Sequence, residues 1–195
     1  MKKFLFSTAL LVAATINAQT FGLKAGVNVA NVSNLYETGT SSKAGFNAGA
    51  FVNIPVIDEF HIQPEILYNQ KGLKYATGKE DYGYLSIPIM FQYNIVERFY
   101  LEAGPEFSVL LSAKDKFNGK ETAQYEYEAG TYDVKDEYRT LDIGIGAGLG
   151  FDITKNIGIN ARYVAGLTDL YKDSTEGYIA KNSIFQISAY FKFGK

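Results

Sequence analysis

The chain has 195 residues, a formal net charge of −2 from 19 basic and 21 acidic side chains, no cysteine and one histidine. Mixed charge of this size gives no nucleic-acid-binding patch. Absent thiols exclude disulfides, thiol catalysis and thiolate metal sites, and a lone His61 cannot build a histidine cluster. The 15 tyrosines, 14 phenylalanines and 19 glycines against 4 prolines favour strands over helices.

In chain order, residues 1–18 read as a secretory signal peptide. Met1-Lys2-Lys3 is the positive n-region, Phe4 to Ala14 the apolar run, and Ala18 the small residue before cleavage. The run is too short to cross a bilayer comfortably as a retained helix. Residues 19–195 form the predicted single domain. No later segment has 18 uninterrupted apolar residues, which leaves a secreted soluble protein or a membrane β-barrel.

From Phe21 onward, eight segments alternate with a period of two: 21–30, 45–54, 60–69, 85–95, 99–111, 141–153, 157–167 and 184–193. The sixth is the clearest. In Leu141 to Ile153, large apolar residues alternate with Gly144, Gly146, Gly148 and Gly150 between Asp142 and Asp152. Short turns at Val56-Ile57-Asp58, Val96-Glu97-Arg98 and Thr154-Lys155-Asn156 alternate with long polar loops. Transmembrane barrels show that asymmetry, with tight turns at the periplasmic rim and long loops outside.

Three features turn the apolar faces outward, to lipid. Each runs five to seven positions over ~10 residues, the length a tilted strand needs to cross hydrocarbon. Aromatics gather at the ends, with Phe21, Phe60, Tyr93, Phe99, Phe151 and Phe193 toward one rim and Tyr68 and Phe185 toward the other. The remaining face combines glycine with charge, which suits a packed interior. The predicted fold is all-β, an eight-stranded antiparallel up-and-down transmembrane β-barrel. A soluble barrel with its apolar face inside is the competing arrangement.

An eight-stranded lumen is just wide enough for side chains to fill it. The inward set holds Lys24, Arg162 and Lys192 against Glu65, Glu102, Glu106, Asp142 and Asp152. Buried charges must pair, so a bridged polar plug is expected, with Arg162 lying over the glycine strip toward Glu106 or Glu65. Pro64, Pro88 and Pro105 remove ladder donors inside strands, and a β-bulge is expected at each. The loop from Ala113 to Arg139 is read as an extension of the fifth and sixth segments beyond the membrane.

Catalysis finds little support. "GIGAGLG" has the wrong glycine spacing for a dinucleotide loop and no helix follows it. His61 falls at the periplasmic rim with no serine or aspartate placed to partner it. No catalytic, cofactor-binding or metal-ligating residue is assigned. Within the long loop, Tyr125, Tyr127, Tyr132 and Tyr138 are candidate partner contacts, while "DVKDE" is too sparse for a calcium loop. At the end of the chain, "QISAYFKF" resembles the terminal signal that presents outer-membrane barrels to their insertion machinery, with Gln186, Phe191 and Phe193 as its markers.

The stretches "FGLKAGVNVAN", "KAGFNAGAFV", "IQPEILYNQKG", "YLSIPIMFQY", "LEAGPEFSVLLSAK", "LDIGIGAGLGFDI" and "ARYVAGLTDL" together resemble the PorT-like, porin-family outer-membrane barrels of Bacteroidetes. The resemblance covers nearly all of the mature chain. It implies an outer-membrane barrel and settles no activity; a link to type IX secretion and gliding does not carry over by residue. The expectation is a monomer in outer-membrane lipid with a filled lumen, meeting surface or envelope proteins through its loops. The alternatives are a small-solute or ion channel, a component linked to type IX secretion or gliding, and a soluble exported binding barrel.

Overall fold

The computed structural model describes residues 19–33, 40–118, 128–172 and 179–193, so the predicted signal peptide lies outside it. Nine strands run in chain order: β1 (Thr20–Ser33), β2 (Ser41–Pro55), β3 (Phe60–Tyr75), β4 (Gly78–Val96), β5 (Phe99–Phe117), β6 (Gly130–Asp133), β7 (Leu141–Asp152), β8 (Ile157–Gly166) and β9 (Lys181–Phe193). Every pairing is antiparallel. β1 pairs with both β2 and β9, and β4 with β5, so eight strands close into a barrel with β6 as an appendage on β5. Closure leaves no sheet edge in the hydrocarbon, where an unpaired backbone group has no water to turn to.

Alternation resolves as the sequence periodicity requires. On β1, Phe21 and Val27 are 56% and 59% exposed, while Lys24 and Asn28 are 3% and 0%. Lipid covers the first pair and packed side chains cover the second. Phe21 faces Phe193 across the β1–β9 seam, Phe60 faces Tyr93 across β3–β4, and Phe99 faces Phe151 across β5–β7. These aromatics form one girdle beside the short turns. Phe46 against Tyr68, at 5.6 Å between ring centres, belongs to the opposite one.

Two expectations need correcting. Register does not shift at any of the three prolines. Phe51 pairs with Glu65 and Ile54 with Ile62 on either side of Pro64, Pro64 with Ile89 and Leu67 with Ser86 around Pro88, and Pro88 with Glu106 and Phe91 with Ala103 around Pro105. The pairing is interrupted locally and resumes in step, so no inward residue turns out. Register shifts fall instead between Ser42 and Asn47, Gly83 and Tyr84, and Asn94 and Val96, toward the two rims of the apolar band, where lipid does not enforce an unbroken ladder.

The second correction concerns the outer loops. β3 and β4 meet in a two-residue turn at Ala76-Thr77 instead of a long loop. The outer end of β3 projects with β4 up to that turn, and the longest projecting strands are β4 and β5, 19 residues each. Roughly 10 residues suffice to cross hydrocarbon, so the remainder stands outside it. β6 pairs with the end of that projection from Lys114↔Asp133 to Phe117↔Gly130. β7 begins at Leu141 and takes no part.

Candidate functional site

The lumen is built in layers, because inward residues on neighbouring strands meet at successive heights. Nearest the short turns, Phe51, Tyr100 and Tyr190 form a buried aromatic cluster, with Phe51 and Tyr190 edge to face at 6.0 Å. Glycine makes room for these rings. A Cβ on Gly150 would stand 2.1 Å from the Tyr100 ring, and one on Gly158 would stand 2.3 Å from Tyr190. Here the glycine strip acts as a floor for aromatic side chains reaching across the barrel. Asp152 closes this end by accepting bonds from Lys192 Nζ at 2.8 Å and Tyr190 Oη at 2.7 Å.

Above the rings lies a four-charge cluster. Arg162 donates through Nη1 and Nη2 to Glu65 at 3.0 and 2.8 Å, and through Nε to Glu102 at 2.7 Å. Lys24 Nζ reaches Glu65 Oε1 at 2.8 Å. Gln63 donates to Glu65, and Gln92 and Asn160 to Glu102. Five strands, β1, β3, β4, β5 and β8, are tied through one charge-balanced node. The bidentate fork is the strong geometry for a guanidinium and a carboxylate. An amide chain continues from here to His61, whose Nδ1 lies 2.6 Å from Asn53 Oδ1.

Arg162 therefore meets Glu65 but not Glu106, and its second carboxylate is Glu102. Glu106 stands one layer higher, where Lys71 Nζ lies 3.7 Å from it and 3.3 Å from Asp142. Lys71 is absent from the predicted charge set, yet Gln63, Glu65, Leu67 and Asn69 point inward and one more step of two reaches it. Between the two charged layers, Asn28, Asn47, Asn69, Gln186 and Ser188 form an amide-and-hydroxyl belt. Gln186, one of the predicted insertion markers, thus serves inside the barrel, while Phe191 and Phe193 are exposed on the lipid face.

The outer mouth is capped. Val32, Leu73, Tyr82, Tyr84, Leu110, Ala113, Tyr138, Leu170 and Ala180 form one buried apolar cluster. Tyr138 packs on Tyr82 at 5.1 Å and on Tyr171 at 5.0 Å. Both Tyr82 and Tyr138 hydroxyls donate to Glu80 Oε2. Burial pushes the Glu80 carboxyl above its ordinary range, and nearby Asp115 and Glu137 push the same way against those two hydrogen bonds. Lys43 and Lys116 flank the cap on Asp81.

This changes the reading of the loop tyrosines. Tyr138, 2% exposed, is a piece of the cap and not a contact surface. Tyr132 is exposed on β6, with its hydroxyl donating to Glu128 O at 2.8 Å. Tyr125 and Tyr127 lie outside the described residues. Among the described residues, no group of three or more His, Asp or Glu side chains is placed to hold a metal ion.

A closed eight-stranded barrel with apolar girth and polar filling defines an outer-membrane β-barrel protein. Residues 17–172 match the family model described as "Outer membrane protein beta-barrel domain", and the chain belongs to that family. Solved structures share the fold. One is Ail, the attachment invasion locus protein of Yersinia pestis, at 16% identity and a TM-score of 0.52, covering 89% of this chain and 98% of that one. Another is the neisserial surface protein NspA, at 12% identity and a TM-score of 0.59, covering 89% and 97%. A search of curated proteins finds no match.

Proposed function

We propose that this protein is a non-conducting, non-enzymatic outer-membrane barrel that works through the surface it holds outside the membrane. The observation that carries this reading is closure of the lumen at two ends. The Phe51–Tyr100–Tyr190 cluster and the Tyr82–Tyr138 cap bracket a charge-paired interior. Side chains locked by mutual bonds leave a hydrated ion no path through the described layers without breaking several of them. The 19-residue strands β4 and β5 extend past the hydrocarbon and hold β6 clear of it. The two fold neighbours, named as an attachment protein and a surface protein, run in the same direction.

The finer placement follows the motifs. Their order along the chain favours the PorT-like barrels of Bacteroidetes, a leader cleaved after Ala18, and insertion as a monomer guided by the terminal aromatics Phe191 and Phe193. Single-channel recording of the purified barrel in planar bilayers tests the central reading. The expected trace is flat at moderate salt; a stable open conductance identifies a pore and defeats it.

A further inference from the structure

On the outer rim, a cleft of about 410 Å³ lies between the segment leading into β7 and the one leaving β8, lined by Arg139, Thr140, Leu141, Thr168, Asp169 and Lys172. We propose that it binds the phosphate of an anionic lipid in the outer leaflet, with Arg139 and Lys172 as the phosphate ligands and Leu141 against the lipid's apolar part. The inference depends on membrane insertion and is independent of whether the lumen conducts.

Position supplies the first argument. Leu141 and Leu167 are the last outward apolar residues of their segments, 50% and 56% exposed, and the next residues along each chain path are Thr140-Arg139 and Thr168-Asp169. The cleft therefore spans the level where hydrocarbon gives way to headgroups. An amphiphile carrying a phosphate fits both halves at once, whereas a free anion uses only the upper one.

Rigidity supplies the second. The two segments are laced together: Leu167 N donates to Ile143 O at 2.7 Å, Arg139 N to Leu170 O at 2.9 Å, and Lys172 N to Glu137 O at 3.0 Å. Thr168 Oγ1 accepts from Ile143 N at 2.9 Å and donates to Asp142 Oδ1 at 3.0 Å, which anchors the rim to the lumen. Arg139 Nε donates to Tyr171 O at 2.8 Å and fixes the guanidinium plane. Its Nη1 has no partner among the described residues, and neither does Lys172 Nζ.

Charge supplies the third. Two cations face the cleft against the single carboxylate of Asp169, which already accepts a bond from Tyr171 N at 3.4 Å. A guanidinium held in plane loses little freedom on engaging a phosphate, and each cation at a membrane surface adds roughly fivefold to the affinity for an anionic lipid.

Native mass spectrometry of the full barrel, released from phosphatidylcholine nanodiscs doped with diphosphoryl lipid A, tests the site. The wild type should retain lipid A through detergent exchange, and Arg139→Gln with Lys172→Gln should weaken retention about thirtyfold. Lys114→Gln, an exposed charge on the projecting sheet, should leave it unchanged. Should the double variant fail to fold, Lys172→Gln alone, which breaks no side-chain bond among the described residues, should lose about fivefold, and Lys172→Arg should restore it. Equal retention by wild type and either glutamine variant overturns the proposal. Displacement of the lipid by millimolar inorganic phosphate also overturns it, by showing a soluble-anion site.

Discussion

Two charged layers sit one above the other in the same lumen and are built differently. The lower one sets Lys24 and Arg162 against Glu65 and Glu102, and each carboxylate accepts further amide or guanidinium bonds. The upper one sets Lys71 alone against Glu106 and Asp142, and Glu106 Oε2 has no partner among the described residues. A buried ion pair roughly offsets its own desolvation when complete and costs heavily when one partner is lost. The lower layer is thus a lock whose parts depend on one another, and the upper layer carries one negative charge more than its cation offsets.

That contrast orders the expected effects. Arg162→Ala strips buried Glu102 of its cation and leaves Glu65 with Lys24 alone; it should cost about 3–5 kcal/mol, seen as loss of heat-modifiable gel migration at a much lower temperature. Gly150→Val, which drives new carbons into the Tyr100 ring, should cost about 1–3 kcal/mol by overpacking. Gly146→Val should cost less, since a Cβ there meets Met90 Cε at 3.3 Å and Arg162 Cδ at 3.5 Å. If Gly146→Val proves the worse of the two, the floor account is misplaced. Glu106→Gln removes the surplus charge and should fall within about 1 kcal/mol of wild type, or stabilise. A loss as large as that of Arg162→Ala would erase the distinction between the layers.

The smallest effect belongs to the cap. Because burial raises the Glu80 pKa in the folded state, the linked stability is complete below the ordinary carboxylate value and declines as pH rises through the folded one. Protection of the Tyr82–Tyr138 region from hydrogen exchange should therefore be greatest at acid pH and fall toward neutrality. Glu80→Gln should flatten that slope, and an unchanged slope would assign it to another group.

The membrane-crossing part of this fold was legible because lipid on one side and a packed lumen on the other leave little choice of residue at each step. Phe21, Leu23, Ala25, Val27 and Val29 could face only one way. Legibility stopped where lipid stops. Past Leu85, the residues Gly83, Asp81 and Lys79 present no apolar face, and the register shift at Gly83/Tyr84 breaks the phase, so the projecting hairpin of β3 and β4 read as loop. Lys71 was lost with it, and Lys43 with the outer end of β2, although each continues an inward series by two residues. Tyr138 was misread because sequence alone cannot show that Tyr82 and the Leu170-Tyr171 pair arrive from two distant segments to bury it. The prolines mislead in the other direction: a closed barrel has enough pairing on both flanks to hold register across an interrupted rung.

The assignment of lipid to the bulky half of each strand supports every other statement, and the chain's lack of tryptophan makes it directly measurable. Single tryptophans placed at Val27 and Ile145, on opposite walls, and at Tyr132 on β6 can be read by fluorescence in bilayers of brominated lipid. Strong quenching at Val27→Trp and Ile145→Trp with little at Tyr132→Trp is the predicted result. Bright, unquenched emission from the two wall positions would contradict it.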